Sequence, residues 1–312
     1  MLHVLAAFLA VYVVWGSTYL AIRFAVETLP PFLMAGSRFL LAGLVLYAVM
    51  RRRVAAAITP THWRSATISG TLMLLGGNGL VCWAEQTVPS GVAALLIATS
   101  PLWFVFLDWA IFRGPRPGRA VLAGVGIGLV GIYLLIGPGR IGGEPVHLPG
   151  AIALLMACMF WALGSLYGRK ASLPPNVFLS TAMQMIAAGV VLLGVGSAAG
   201  EWQRLNLAGS TLKSWLSVAY LVVFGSILAL SCYSWLLQVS TPARVSTYAY
   251  VNPVVAVLLG AALGDEALSP RVVLACVVII AAVAIITTVS KRPAARTATA
   301  KPEPQLTSSD SK

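Results

Sequence analysis

Charge is what this sequence of 312 residues has least of: Asp, Glu, Lys and Arg together make 10% of it, and only nine residues are acidic. With 59% of residues hydrophobic, too little polar surface remains to cover a water-soluble globule of this length. Histidine is as sparse. His3, His62 and His147 fall outside the apolar runs, which leaves no imidazole inside them for a metal or a proton relay. The four cysteines, Cys82, Cys158, Cys232 and Cys276, stand singly inside apolar runs with no Cys-x-x-Cys pair, the pattern of buried packing residues. A Walker loop, a Gly-x-Ser-x-Gly elbow and a His-Glu-x-x-His zinc helix are all missing. Without a catalytic set, the chain reads as a non-enzyme, and no cofactor or metal is expected.

What fills the sequence is apolar runs of roughly 18 to 23 residues separated by short basic or Pro/Gly breaks, at a mean hydropathy of +0.88. The runs are continuous rather than alternating, so helices are expected and a barrel is not. The spans predicted are 4–22, 31–50, 66–84, 90–112, 120–137, 150–168, 176–197, 214–236, 244–264 and 270–289. The first lacks a basic leader and a small-residue cleavage site, and reads as a retained helix rather than a signal peptide. An even number of spans puts both termini on one side. Placing them in the cytoplasm puts fifteen of the 21 Lys and Arg on the cytoplasmic face and five on the other, with Arg38 inside a span. The formal charge of +12 then reflects topology and attraction to anionic lipid, and no separate basic domain speaks for nucleic acid. The polar, Pro-rich stretch 291–312 reads as a disordered cytoplasmic tail.

The chain also repeats itself. "RFAVETLPPF" at Arg23 and "RKASLPPNVF" at Arg169 each follow an apolar run containing a tryptophan, and aligning Trp15 with Trp161 puts Arg23 on Arg169. A second alignment, of "VAALLIATSPLW" with "RVSTYAYVNPVV", puts Pro101 on Pro253. Five spans per copy is an odd number, so the copies insert in opposite orientations. The expected architecture is an all-α polytopic membrane protein of ten transmembrane helices, two inverted five-helix repeats at 1–138 and 149–290 around a central cavity.

The stretches "WGSTYLAIRF", "GGNGLVCWAEQTVPSGVAALLIATSPLW" and "STYAYVNPVVAVLLGAALGDEALS" resemble the EamA-type drug/metabolite transporters, in particular their YedA-like branch. The resemblance covers nearly the whole chain apart from the tail. It implies ten helices, cytoplasmic termini, a cavity between the halves, and export or exchange of small metabolites or drugs without ATP hydrolysis. It also implies a Glu just after the fourth and ninth helices. Glu266 stands after the ninth, but Gly114 occupies the fourth's place, so a mechanism needing both is not available here.

Polar groups inside apolar spans are the candidate site. Arg38 lies about 10 Å along the second span at 1.5 Å per residue, where an unpaired charge must face a cavity or a partner. It either locks helices by pairing or meets an anionic group of the substrate. Glu85, its nearest candidate partner by depth, reads as an outer-gate ion pair or a proton or substrate site. Asp108 fits an interfacial pair with Arg113, Arg116 and Arg119 better than a coupling role. Around Asn78, three glycines either loosen the third helix for a polar ligand or allow close packing. Pro101 and Pro253 interrupt matching spans, freeing the carbonyls of Ile97 and Ala249 beside Ser100 and Asn252. They are either inherited gating hinges or the mark of a midplane site. Trp15, Tyr19, Trp161 and Tyr248 offer flat walls for an amphipathic solute, or anchors at the membrane interface.

The reading that follows is a multi-pass protein of the cell inner membrane that exports or exchanges a small organic metabolite or drug by alternating access. Its partners are the lipid bilayer, that small-molecule substrate, and protons or a counter-substrate. The alternatives are an importer or uniporter of an amino acid, sugar or nucleotide derivative, and a scaffold that transports nothing.

Overall fold

The computed structural model describes residues 2–54, 57–114, 116–136, 140–141, 144–145, 147–240, 245 and 248–289. The expected tail at 291–312 and Arg244 lie outside them. The described residues are overwhelmingly helical: α1 Leu2–Val26, α2 Pro31–Arg53, α3 Pro60–Ala84, α4 Ser90–Ala110, α5 Arg119–Ile136, α6 Leu148–Lys170, α7 Val177–Ala198, α8 Leu212–Leu236, α9 Tyr248–Leu263 and α10 Pro270–Val289. Seven of these are long and apolar enough to cross a bilayer; α5, α9 and α10 carry shorter apolar stretches. A single helical turn, Glu201–Arg204, precedes α8, and one two-residue antiparallel pair joins Arg140–Ile141 to Glu144–Pro145.

Local chemistry sets the helix starts. Pro31, Pro60 and Pro149 occupy first-turn positions, where the missing N–H costs nothing. Side chains of Thr59, His147, Asn176 and Thr211 accept from the first-turn amides of α3, α6, α7 and α8. His62 completes a capping box with Thr59, so it and His3 lie within helices rather than outside them, and the two capping imidazoles serve helix ends. The helices run past the predicted ends because apolar runs end before their hydrogen-bonded turns do. Arg23 falls in the last turn of α1, and Arg51 to Arg53 still belong to α2.

Small residues set the packing. α2 lies along α7, where a Cβ on Gly36, Gly43 or Gly189 would sit 2.9, 2.8 and 2.6 Å from backbone nitrogens of the facing helix. α3 packs on α6 and α8 on α1; α1 packs on α9 and α4 on α6; α4 meets α9, and α5 meets α10. Ser69 Oγ donates to Gly164 O across the α3–α6 contact (3.0 Å), and Ser214 Oγ to Phe24 O across α8–α1 (2.7 Å). Leu122, Leu129, Leu274 and Val277 leave their outer faces bare, as suits helices turned to lipid.

Three helices carry π-helical stretches, Ala10–Val14 in α1, Thr71–Gly79 in α3 and Leu221–Ala229 in α8. In α4 the helix breaks at Ala98–Thr99 and restarts at Ser100, with Pro101 in the new first turn. Pro253, expected to interrupt its span as well, sits inside a continuous α9. Standing in the second turn, it removes one intrahelical bond without stopping the helix.

Candidate functional site

The π-helical stretches of α3 and α8 and the α4 break converge on one cavity. It encloses about 770 Å³ not filled by atoms, its mouth included, and is lined by residues of α1, α2, α3, α4, α6, α8 and α9. Of the residues picked out in the sequence, Trp15, Tyr19, Arg38, Asn78, Ser100, Trp161, Tyr248 and Asn252 all lie on its wall. Thr18, Phe39, Cys158 and Gly225 join them without having been singled out as lining residues.

One end is polar. Arg38 is 4% exposed, and its Nη2 donates to Asn78 Oδ1 at 2.7 Å. The π-helical turn around Asn78 presents that amide, and Cys82 Sγ approaches the same oxygen at 3.5 Å. The guanidinium carbon lies 4.1 Å from the Phe39 ring centroid. Glu85, expected as the partner, does not line the cavity and forms no ion pair with Arg38. Its carboxylate is fully enclosed, and neither oxygen has a hydrogen bond. Depth along the helix matched the two residues, but Asn78 sits nearer in direction. Arg23 Nη1 donates to the main-chain oxygens of Glu85 (3.1 Å) and Val88 (3.4 Å), tying α1 to the turn before α4.

Another part of the wall is aromatic. Trp15 meets Tyr233 at 4.8 Å between ring centroids, Tyr248 edge-on at 5.4 Å and Trp161 edge-on at 5.8 Å. Its Nε1 donates to Gly225 O (3.4 Å), a carbonyl of the α8 π-helical stretch. Tyr233 sits buried behind the cluster, and the stretch "SCYSW" has no periodic signal by which to find it. With its amide turned to satisfy both groups, Asn252 Nδ2 donates to Tyr12 O (3.1 Å) and Tyr248 O (3.2 Å), bracing α9 against α1.

The carbonyls released at the α4 break are not free for a ligand. Ser100 Oγ donates to Ile97 O (2.6 Å), Thr99 Oγ1 to Leu96 O (2.6 Å), and the Cys158 thiol reaches both carbonyls at 3.6–3.7 Å. Short hydroxyls one to three residues past a break reach back to it before a ligand does. Away from the cavity, Glu266 accepts from the amides of Ser90 (2.6 Å) and Gly91 (2.9 Å) at the start of α4, and Glu201 from those of Phe32 and Leu33 at the start of α2. Asp108 makes no ion pair with Arg113, Arg116 or Arg119 among the described residues. No group of His, Cys, Asp and Glu among them could hold a metal ion.

Comparison with known proteins agrees with this arrangement of helices. A solved crystal structure of another protein superimposes with a TM-score of 0.64, covering 93% of this chain and 98% of that one, at 22% identity; the likeness is one of fold. The inner membrane transporter YedA of Escherichia coli strain K12, described as uncharacterized, is 43% identical over 288 residues, 92% of this chain and 91% of the relative. A probable amino-acid metabolite efflux pump of Salmonella typhimurium is 25% identical over 284 residues, 88% of this chain and 91% of the pump. The model of the EamA-like transporter family matches residues 1–137 and 148–288, and with that match over most of its length the chain belongs to the EamA-like transporter family of membrane transporters.

Proposed function

We propose that the chain is a secondary transporter of the inner membrane that exports or exchanges a small organic metabolite or drug by alternating access. Two inverted five-helix repeats, at 1–138 and 149–290, would rock about the cavity, with the gradient supplied by protons or a counter-substrate. The observation that carries this reading is the cavity itself, walled by helices from both ends of the chain and holding Arg38, Asn78 and Asn252, side chains that an apolar lipid face would not tolerate.

The repeat is supported by the packing. Exchanging each helix for the one five places along turns the α3–α6 contact into α8–α1 and α1–α9 into α6–α4, while α2–α7, α4–α9 and α5–α10 map onto themselves. The family match in two segments, 1–137 and 148–288, fits the same division. α10 has 20 residues and reaches about 30 Å, enough for a bilayer core, which supports counting it among ten spans. Export is favoured by the similarity to the efflux pump.

The test is solute redistribution. Cells producing the chain are compared with vector controls and with Thr18→Phe, which narrows the cavity, and metabolites inside and outside are quantified by mass spectrometry. A small organic solute moving to the medium with the parent chain alone is the expected result. A solute drawn inward would make the chain an importer, and no redistribution would favour the scaffold.

A further inference from the structure

The cavity wall is electrically lopsided. Among the described residues lining it there is one formal charge, Arg38, and no carboxylate. Arg38 spends one nitrogen on the neutral amide of Asn78, while its Nε has no partner. No nearby carboxylate contacts the guanidinium. Glu85 is enclosed behind the wall, Glu201 and Glu266 are held by backbone amides, and the ion pair of Glu27 with Lys213 lies at the surface. A guanidinium shielded from water with no carboxylate in contact is expensive, and an anion entering the cavity to meet it lowers that cost.

The aromatic part of the wall adds shape. Trp15, Trp161 and Tyr248 form an apolar wall in which the Trp161 and Tyr248 rings each meet Trp15 edge-on. An arriving cation would need cation–π attraction to these rings to outweigh repulsion from Arg38, with no carboxylate on the wall to help.

Taking the cavity as the transport site, as proposed above, we infer that it binds an organic monoanion: a planar apolar body against the Trp15 wall with one carboxylate, or an acid group like it, on Arg38. A zwitterion brings an ammonium that nothing on the wall receives, and a cation brings only that.

Three probes sharing one ring separate these cases at pH 7: indole-3-acetate carries a negative charge, tryptophan is a zwitterion, and tryptamine is a cation. Binding to the purified full-length chain is measured by titration calorimetry. Indole-3-acetate is expected to bind at least about tenfold tighter than tryptophan, a difference of roughly 1.4 kcal/mol, with tryptamine weaker still. Arg38→Gln should erase the order and Arg38→Lys retain part of it. Should Arg38→Gln not fold, Asn78→Asp keeps the guanidinium, supplies a counter-charge and should erase the order as well. Tryptamine binding as tightly as indole-3-acetate, an order unchanged in these variants, or no binding by any probe would each overturn the inference. Solute redistribution without anion preference would sink this inference alone, whereas anion binding without redistribution would sink the transport reading and keep the site.

Discussion

Arg38 and Asn78 show how one charged residue can be kept inside an apolar bundle. The amide gives the guanidinium one hydrogen bond at 2.7 Å but no charge, so the pair is held without being neutral. Asn78→Leu should therefore destabilise the fold by about 3 kcal/mol, the cost of stripping the last hydrogen bond from a buried charge. Asn78→Asp should unfold at a higher temperature than Asn78→Leu, because it restores an acceptor. Thermal unfolding read by a thiol-reactive dye suits this comparison, since Cys82 and Cys158 are buried until the fold opens. If Asn78→Leu melts with the parent chain, Arg38 is held by something other than Asn78. The polar and aromatic part of the cavity wall was legible at this scale because a polar or amphipathic side chain within an apolar run has few places to go but inward. Glu85 was misjudged because position along a helix gives depth and not direction. Cys158 and Gly225 were passed over as lining residues because small or weakly polar residues look the same in sequence whether they pack or line a cavity.

At the scale of elements, spans could be counted from the sequence but their irregularities could not be placed. The glycines of "GGNGL" hinted at a loosened third helix, and a π-helical stretch stands there; its counterpart in α8, around the single Gly225, carried no comparable signal. Proline was an unreliable guide by itself. Pro101 follows a real break, while Pro253 lies in an unbroken helix, and the difference rests on the Thr99 and Ser100 hydroxyls that close off the Leu96 and Ile97 carbonyls. Close packing is the sturdier element-scale feature. A Cβ on Gly189 would lie 2.6 Å from Leu40 N on α2, and a backbone atom cannot swing away as a side chain can. Gly189→Val is expected to destabilise by about 3 kcal/mol through forced separation of α2 and α7. Gly194, on the same helix, has nothing within 4 Å of an added Cβ, so Gly194→Val should melt within a degree or so of the parent. Equal effects of the two substitutions would point to helix propensity rather than to the α2–α7 contact.

At the scale of the whole molecule, the open matter is orientation, and here the sequence offers two arguments that can be separated. The proposed inversion of the two copies rests on an odd number of spans in each, whereas the proposed placement of the termini rests on a count that would put fifteen Lys and Arg on one face against five on the other. Ala57, between α2 and α3, and Leu207, between α7 and α8, occupy corresponding loops of the two copies, and both are exposed. If the copies are inverted, these loops must lie on opposite sides of the membrane. In a background with the four native cysteines replaced, Leu207→Cys should react with a membrane-impermeant maleimide on intact cells, and Ala57→Cys only after the membrane is opened. The reverse pattern would keep the inversion and turn the termini outward, against the charge bias. Labelling of both from the same side would mean parallel copies, and rocking of one repeat against its inverted twin would then lose its structural basis.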